Sequence, residues 1–562
     1  MGSAALVTGG SAQLLGAPED QKKVLPVNGG LEADVVICGG GLGGFAAALS
    51  LVREGRTVIL TEETDWIGGQ LTQQGVPLDE HRWIETTGAP KLYREFRNAI
   101  RGYYRRNYLL TEKAKRDPLL NPGGGAVSRL CHEPTVAVAV LTELLAPYVS
   151  AGRLTLLLNH RAVKSDVRSD LVKSVEVVDV FSKQRKILTA TYFVDATELG
   201  DLLPLTGTEF VTGTESKRET GELHAPETGD PENVQSFTMC FALDHIDGEN
   251  HIIKKPGDYK FWANYTPKLT PPLPGKLFEL QYSSPRTLQP RKLAFIPNGG
   301  RVANTLNLWI YRKIIDRNTF TPGTYKRDIT IVNWPINDYM LGNLIGNNSR
   351  FLKHVNASKQ LGLSLLYWLQ TEVERPDGGK GWPGLRLRND VMGTADGFAK
   401  YPYVRESRRI RAKFTVLEQH VGLENRALVA TGNENKNKAA TFYDSVGIGY
   451  YPIDLHPSNK GNNYIDFASL PFQIPLGALL PVRMRNLLPA NKNIGTTHVT
   501  NGCYRLHPVE WSIGEAVGLM IAFSINKDTT PQNIHKNRSL LKSFQDFIRE
   551  RGIETEWPTT AE

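Results

Sequence analysis

Cysteines are few in this chain, and they do not have the spacing of disulfide or metal-binding cysteines. Only four occur in 562 residues, and none lies in a C-x-x-C pair or at the spacing of zinc ligands. We therefore expect neither a disulfide framework nor a metal site. The four are Cys38, Cys131, Cys240 and Cys503.

Long apolar runs and long basic tracts are also missing. No apolar run reaches the ~18 residues that a membrane-spanning helix needs, so we expect no membrane span. The formal charge is +8, from 66 basic and 58 acidic residues, but the excess is spread thinly along the chain. A short basic run such as 405–413 is typical of a solvated surface or an anion site, so a nucleic-acid partner is not expected.

The length allows two or three subdomains, and apolar and charged fractions of 40% and 22% are ordinary for a globular protein. Residues 1–30 are small, glycine-rich and poorly periodic, which predicts a flexible leader. This leader is either the remnant of an export signal or a cloning scar, so a cytoplasmic and an exported location both stay open.

The clearest motif begins with a short β-branched run at residues 34–38 that ends abruptly in glycine. The pattern G-x-G-x-x-G follows, and then come a helical segment at 45–55, a second strand at 56–61 and the acid Glu62. A strand, a glycine loop, a helix, a second strand and an acid in this order predict a dinucleotide site rather than a plain βαβ unit. The loop glycines are Gly39, Gly41, Gly43 and Gly44.

Each of these residues has a physical task at such a site. Gly39 permits the tight turn, Gly41 lets the backbone approach a pyrophosphate, and Gly44 lets the helix pack closely on the strand. The helix N-terminus supplies N–H donors and partial positive charge. Glu62 is placed to accept hydrogen bonds from a ribose diol.

The segment after Glu62, TDWIGGQLTQQGVP (64–77), resembles FAD enzymes of the glutathione-reductase-like superfamily. In those enzymes a loop containing two glycines wraps the adenosine and ribityl parts of FAD. The resemblance therefore implies FAD, held without a covalent bond, and implies four further cofactor-binding residues. These are Gly68, Gly69, Gln70 and Leu71.

Three later segments carry the resemblance further, to bacterial FAD-dependent oxidoreductases of the branch that includes the flavin subunit of heterodisulfide reductase. They are TYFVDATELGDLLPLTG (191–207), YVRESRRIRAKFTVLEQHV (403–421) and the closing element at 486–523. Two departures stand out, because Glu198 replaces a usual glycine and Asn491-Lys492 replaces a usual Gly-Arg. The first segment implies the cofactor-binding residues Ala196, Thr197, Gly200 and Asp201.

The closing element resembles the family's flavin-facing helix. We expect this helix to start at Gly514, with Ala516 and Val517 in its first turn and its N-terminus directed at the flavin ring. The alternative is a buried core helix with a Gly-xxx-Gly packing face.

The resemblance implies an α/β fold. We expect a Rossmann-like FAD-binding domain of the glutathione-reductase type, discontinuous in sequence, with an inserted mixed α+β substrate domain. The predicted divisions are 1–30, the leader; 31–244, the first part of the FAD-binding domain; 245–435, the inserted domain; 436–530, the second part; and 531–562, a helical tail.

No cysteine pair suited to a disulfide reductase and no second glycine fingerprint for NAD(P)H occurs. We therefore expect an FAD-dependent dehydrogenase or oxidase that oxidises a C–OH or C–N bond of a small polar metabolite by hydride transfer to flavin N5. Its electron acceptor is O2 or another oxidant, and its oligomeric state stays open. The alternatives are a flavoprotein electron-transfer subunit with a protein partner and an NAD(P)H-dependent flavin hydroxylase.

Histidine is the natural base for such chemistry near neutral pH. His498 is the first candidate, with Arg505 binding the substrate or the flavin carbonyl edge, and His456 is the second. For each histidine, a structural hydrogen-bonding role is the alternative. His81 is a candidate lining residue, and Cys503 is either a covalent flavin attachment site or a small buried thiol. The group Arg405, Glu406 and Arg408 is expected to form an internal ion-pair network.

Overall fold

The computed structural model of the protein describes residues 23–27, 30–431 and 435–558. Most of the predicted flexible leader therefore lies outside the described residues. The described end of this segment is structured rather than flexible, because Leu25–Val27 forms a strand that pairs antiparallel with the strand beginning at Gly30.

The strands of the described residues form two main sheets, a small three-stranded sheet and three short pairs. In chain order they are β1 Leu25–Val27, β2 Gly30–Cys38, β3 Val58–Glu62, β4 Leu154–Leu158, β5 His160–Arg168, β6 Leu171–Asp179, β7 Arg185–Asp195, β8 Phe210–Val211, β9 Phe241–His245, β10 Gln281–Ser283, β11 Pro290–Ala294, β12 Leu306–Asn307, β13 Lys313–Ile315, β14 Ile329–Val332, β15 Leu385–Leu387, β16 Arg409–Ile410, β17 Ser445–Gly449, β18 Ile453–Leu455, β19 Ile465–Phe467, β20 Phe472–Pro475 and β21 Leu487–Pro489.

The helices are mostly short, with α9 and α14 the longest. They are α1 Leu42–Arg53, α2 Lys91–Asn107, α3 Glu112–Arg116, α4 Pro134–Ser150, α5 Leu202–Thr206, α6 Lys217–Thr220, α7 Tyr259–Asn264, α8 Leu308–Tyr311, α9 Asn348–Thr371, α10 Asn389–Met392, α11 Glu418–Val421, α12 Leu423–Val429, α13 His498–Tyr504, α14 His507–Asn526, α15 Pro531–Lys536 and α16 Arg538–Glu550.

The first sheet has the strand order β4-β3-β2-β7-β6-β5, and β21 pairs with β7. The pairs β4–β3, β3–β2, β2–β7 and β7–β21 are parallel, whereas β5, β6 and β7 form an antiparallel meander. The parallel strands are buried apolar runs, as expected for a sheet that is covered on both faces. Since β2 and β21 lie more than 400 residues apart in sequence, both ends of the chain contribute to this sheet.

The second sheet has the order β13-β14-β9-β15 and its own core of aromatic and aliphatic side chains. Its strand β9 pairs with both β14 and β15. Since β9 begins at Phe241, the predicted boundary at residue 245 cuts a strand of this sheet. The second sheet therefore begins before that boundary.

The predicted helical tail contains α15 and α16, and its last described residues, 551–558, are not helical.

By length and composition alone α14 could cross a membrane, contrary to the expectation from the sequence. Its apolar window is 94% buried inside the protein. This burial is what the core helix of a globular protein shows, because such a helix is apolar on all its sides.

Candidate functional site

The glycine loop has the local structure that its sequence predicts. Gly39 has a φ of +102°, and a Cβ atom there would lie 2.2 Å from the carbonyl oxygen of Ala196. Only glycine fits this turn, where β2 comes close to the end of β7. Helix α1 then starts at Leu42 behind Gly41, whose position has no side-chain cap. Apart from the Gly43 N–H, which faces Glu510, the first N–H groups of α1 are thus available to an anion.

Glu62 lies at the end of β3, beside this loop. One carboxylate oxygen accepts a hydrogen bond from the Gly40 N–H at 2.9 Å, and the other accepts one from Nε2 of Gln73 at 2.9 Å. Burial raises the pKa of Glu62 to about 7, and the hydrogen bonds oppose this only in part. The acid is therefore held at the glycine loop.

A cavity of about 40 Å³ opens next to Glu62. We call it the glycine-loop cavity. Its lining includes six of the predicted cofactor-binding residues: Gly39, Gly41, Glu62, Ala196, Thr197 and Asp201. The fold thus brings together predicted cofactor-binding residues from three separate segments of the sequence.

The two-glycine loop lies directly against the glycine loop. Gly68 and Gly69 both have left-handed backbone conformations, with φ of +114° and +56°, and the Gly68 N–H donates to the Gly40 carbonyl at 2.8 Å. A Cβ atom on Gly69 would lie 2.9 Å from Cα of Gly41. Gln70 and Leu71 follow in a single 3-10 turn.

The turn after β7 is held by its own side chains. Thr197 Oγ1 donates to Asp195 at 2.7 Å and accepts from the Asp201 N–H. Asp201 pairs with Arg408 at 3.0 Å. Gly200, with φ of +66°, makes the turn possible.

The two departures from the family pattern contact each other. The Lys492 ammonium group pairs with Glu198 Oε2, and both side chains are buried. A third group, Glu510, accepts a hydrogen bond from the Gly43 N–H at 3.5 Å. Sequence reasoning missed Glu510, because nothing in its local pattern links a residue on the last long helix to the glycine loop.

Several buried polar atoms near the glycine loop have no hydrogen-bond partner among the described residues. Since buried polar groups are normally hydrogen-bonded, such a run of unpaired atoms fits a polar ligand that lies along the segment. Together with the uncapped start of α1 and Glu62, these atoms fit a bound dinucleotide. They are Gln70 Oε1, Gln73 Oε1, Gln74 Oε1, Gln74 Nε2 and Glu198 Oε1.

The predicted start of the last long helix is wrong. Helix α14 begins at His507 with proline as its second residue, so Gly514, Ala516 and Val517 lie in its interior. Proline is favoured in the first turn because the N–H that it lacks would have no partner there. A Cβ atom on Gly514 would lie 2.0 Å from the Gly43 carbonyl oxygen, and one on Gly518 would lie 2.2 Å from Ser50 Oγ. The small residues therefore let α14 pack on α1, as the alternative interpretation states.

A second cavity, of about 480 Å³, lies beside β10–β12 and the β18–β19 hairpin, next to the ends of β13 and β14. We call it the His456 cavity. Its wall combines aromatic rings with paired acids and arginines. The lining residues are Asp79, Tyr282, Ser284, Pro285, Arg286, Arg291, Leu306, Tyr311, Arg312, Asn333, Trp334, Pro335, Tyr403, Arg405, Tyr451, Pro452, Asp454, His456, Tyr464 and Asp466.

His456 has a carboxylate at each ring nitrogen. Nδ1 lies 2.6 Å from Oδ2 of Asp338, and Nε2 lies 3.4 Å from Oδ2 of Asp454. An ionised carboxylate can only accept a hydrogen bond, so Nδ1 donates to Asp338, which fixes the orientation of the ring and directs Nε2 toward Asp454. With 17% of its side chain exposed, His456 is accessible from the cavity.

Asp338 is kept ionised by its neighbours. Burial raises the pKa of its carboxyl group, but the charge of Arg405 and the hydrogen bonds from His456 and Thr238 outweigh burial and hold the pKa well below its usual range. Arg405 contacts the other carboxylate oxygen at 3.0 Å. Among the described residues the expected network does not join its three members, since Arg405 pairs with Asp338, Glu406 with Arg409 and Arg408 with Asp201.

Arg505 contacts two residues of the cavity wall. It donates to the Tyr403 hydroxyl at 2.7 Å and to Oδ2 of Asp454 at 3.1 Å. Two of the three residues predicted for catalysis, His456 and Arg505, therefore meet at Asp454.

His498 is not among the residues that line the His456 cavity. Its Nδ1 lies 3.0 Å from both carboxylate oxygens of Glu406, and its backbone N–H donates to Glu215 at 2.9 Å. Burial raises the pKa of Glu406, but His498 and Arg409 outweigh burial and lower it to about 2. The ring of His498 is thus part of a buried ion-pair network, which corresponds to its alternative role as a structural hydrogen-bonder.

His81 and Cys503 are also buried in packed surroundings. His81 packs among Trp83, Tyr450 and Trp557, and burial lowers its pKa. The Cys503 thiol donates to the Thr500 carbonyl at 3.3 Å, and burial raises its pKa far above the ordinary value. A protonated, buried thiol is a poor nucleophile.

Sequence reasoning missed most of the His456 cavity. Asp338 and Asp79 lie in the loops NWPIND and GVPLDE, which carry no chemical motif of their own. The D-L-H-P run around His456 was the one local signal.

Comparison with known proteins identifies the family to which the chain belongs. A family model described as FAD dependent oxidoreductase matches residues 34–548. No curated protein sequence matches the chain significantly. Similar solved structures include L-proline dehydrogenase from P. horikoshii, which is 19% identical with a TM-score of 0.16 over 33% of this chain and 24% of that one. Glycerol-3-phosphate dehydrogenase from Bacillus halodurans, complexed with FAD, is 14% identical with a TM-score of 0.23 over 38% and 40%.

The chain thus spans less than half the length of both dehydrogenases. A geranylgeranyl bacteriochlorophyll reductase-like protein from Thermoplasma acidophilum is 11% identical with a TM-score of 0.30 over 93% of this chain and 85% of that one. The family model covers far more than half of the sequence. The protein therefore belongs to the FAD-dependent oxidoreductase family: it is an enzyme, and its cofactor is FAD.

Proposed function

We propose that the protein oxidises a C–OH or C–N bond of a small polar substrate in the His456 cavity, with His456 as the base. The observation that carries this proposal is the Asp338–His456 contact of 2.6 Å in a cavity large enough for a substrate. His456 takes the place of His498, whose ring is bound by Glu406.

FAD, when bound, supplies the two-electron acceptor that takes up the substrate hydride. The substrate also loses the proton of its O–H or N–H group, and this proton goes to Nε2 of His456. Asp338 and Asp454 flank the resulting imidazolium and stabilise its charge. The step leaves a C=O or C=N bond in the product, and an electron acceptor such as O2 completes the cycle.

The polarity of the substrate is inferred from the cavity wall. Three buried N–H donors on lining residues have no partner among the described residues: Asn333 Nδ2, Trp334 Nε1 and Arg405 Nε. A substrate that carries oxygen acceptors would satisfy them. The aromatic rings beside them provide apolar faces for its carbon skeleton.

We also infer that the first sheet and β21 build an FAD-binding domain of the glutathione-reductase type. The second sheet would then belong to a substrate-binding domain inserted between its two parts. This arrangement accounts for the position of the His456 cavity at the second sheet, next to residues that follow the two-glycine loop.

The proposal is tested by mixing the enzyme anaerobically with panels of small alcohols, amines and amino acids while the flavin absorbance is recorded. A substrate of the proposed class bleaches the flavin without NAD(P)H. Bleaching by NADPH alone would instead favour the hydroxylase, and bleaching only with a reduced protein partner would favour the electron-transfer subunit.

A further inference from the structure

Three ionisable side chains meet at the N-terminus of α1, although one of them lies 294 residues before the next in sequence. They are Glu198, Lys492 and Glu510, and their exposed fractions are 7%, 1% and 0%. Lys492 pairs with Oε2 of Glu198, and Glu510 binds both the Gly43 N–H and the side chain of Gln70. We call these three residues the charge cluster.

The charge cluster lies at the helix N-terminus at which a pyrophosphate binds in this fold. A Cβ atom on Gly41 would lie 2.9 Å from Oε1 of Glu198 and 3.4 Å from Oε1 of Glu510. Oε1 of Glu198 is buried and has no hydrogen-bond partner among the described residues. Two carboxylates therefore face the point to which FAD brings two further negative charges.

Among the groups that face Glu510, Lys492 is the cation that balances its negative charge. Burial lowers the pKa of Lys492, but the charges of Glu198 and Glu510 outweigh burial and raise it, so the ammonium group stays charged. The groups that α1 and the two-glycine loop present to Glu510, Gly43 N and the Gln70 amide, are uncharged. His507, one turn earlier on α14, stays neutral because burial lowers its pKa to about 4.

One cation cannot neutralise two glutamates and a pyrophosphate in a buried site, because each unpaired charge there is costly. We propose that FAD binding is coupled to the uptake of a proton from solvent by Glu510, while Lys492, held by Glu198, pairs with the pyrophosphate. Glu510 then acts as a hydrogen-bond donor instead of a repelling charge. No electrons move in this step.

The direction of the pH dependence follows from the charges. Burial raises the pKa of Glu510 to about 7 in the protein without FAD, with Lys492 opposing the shift. An added pyrophosphate raises this pKa further, so FAD affinity is highest below pH 7. Above pH 7 the affinity falls by up to about tenfold per pH unit, since one proton must be taken up.

The test is a calorimetric titration of FAD into the full-length protein from which FAD has been removed. Titrations at pH 7 in buffers with different ionisation enthalpies measure the proton uptake, for which we expect a larger value in wild type than in Glu510→Gln. The comparison is needed because Glu62 also has a pKa of about 7, and an equal uptake in the two proteins would overturn the proposal.

Variants assign the roles within the charge cluster. Glu510→Gln should bind FAD with an affinity that falls less steeply than that of wild type between pH 7 and 8.5, and with a smaller proton uptake. Glu515→Gln is the matched control, since Glu515 is equally buried on α14 but accepts from Trp511 Nε1 at 2.9 Å. It should keep the wild-type pH slope. An unchanged slope in Glu510→Gln would overturn the assignment of the proton.

Lys492→Met should weaken FAD binding by tenfold or more at pH 7, and Lys492→Arg should restore part of the loss. The affinity is measured by quenching of flavin fluorescence, with circular dichroism to establish that each variant is folded. Equal affinity in folded Lys492→Met and wild type would show that Lys492 does not contact the pyrophosphate. All these measurements concern binding, so they do not depend on the proposed substrate chemistry.

Discussion

Asp338 joins the proposed base to a buried arginine: one carboxylate oxygen lies 2.6 Å from Nδ1 of His456, and the other lies 3.0 Å from Nη2 of Arg405. A single buried carboxylate thus orients the imidazole ring and neutralises a buried guanidinium group. This double contact connects the stability of the cavity wall to the chemistry that we propose for it.

Asp338→Asn should therefore destabilise the protein. The amide leaves Arg405 buried without a counter-charge, for which we expect a loss of about 3 kcal/mol in the free energy of unfolding. Chemical denaturation measures it. Asp466→Asn is the control, because Asp466 lies in the same cavity but pairs only with an exposed arginine, Arg286, at 3.5 Å. An equal loss in both variants would contradict the role given to the Asp338–Arg405 pair.

Gly514→Ala should disturb the packing of α14 against α1. The added methyl group meets the Gly43 backbone, which can move only with the glycine loop. We expect a loss of about 2 kcal/mol or more in the free energy of unfolding, together with weaker FAD binding. Gly300→Ala, whose Cβ would have no atom within 4 Å, should leave both quantities unchanged.

Cys503 should not carry the flavin. Its thiol is buried and stays protonated at neutral pH, so it lacks the thiolate that covalent attachment needs. Acid precipitation of the purified protein should release all of the yellow flavin into the supernatant. Colour that stays in the pellet of wild type, and is lost in Cys503→Ser, would show a covalent bond.

Glu62 should make the stability of the FAD-free protein depend on pH. Its pKa rises from 4.5 to about 7 on folding, so the folded state binds more protons than the unfolded state between these values. The contribution of Glu62 to stability is therefore present below pH 4.5 and is lost as the pH rises to 7.

Relative to wild type, Glu62→Gln should gain up to about 3 kcal/mol in the free energy of unfolding between pH 4 and pH 8. Denaturation curves at several pH values measure the difference. The exposed Glu32 provides the control, since Glu32→Gln should give curves parallel to those of wild type.

The glycine loop could be predicted from sequence because its structure is decided locally. Gly39 needs a left-handed backbone, Gly41 must leave the start of α1 open, and Glu62 follows one strand later. The start of α14 was misplaced for a physical reason. Small residues at 514–518 suit both a ligand and a neighbouring helix, whereas Pro508 is the residue that marks the first turn.

The choice between His498 and His456 could not be made from sequence. It depends on partners 92 and 118 residues away, Glu406 and Asp338, which only the fold brings near. Glu510 illustrates the same limit, because its contact with Gly43 joins residues 467 positions apart.

The most direct test of the account is the rate of anaerobic flavin bleaching by a substrate found in the screen. We expect His456→Asn to slow bleaching by about a hundredfold or more while FAD stays bound, as loss of a general base does. His498→Asn should lower the melting temperature but, in the folded protein, bleach at a rate close to that of wild type. A wild-type rate in His456→Asn, or a selective loss of bleaching in folded His498→Asn, would contradict the assignment of His456 as the base.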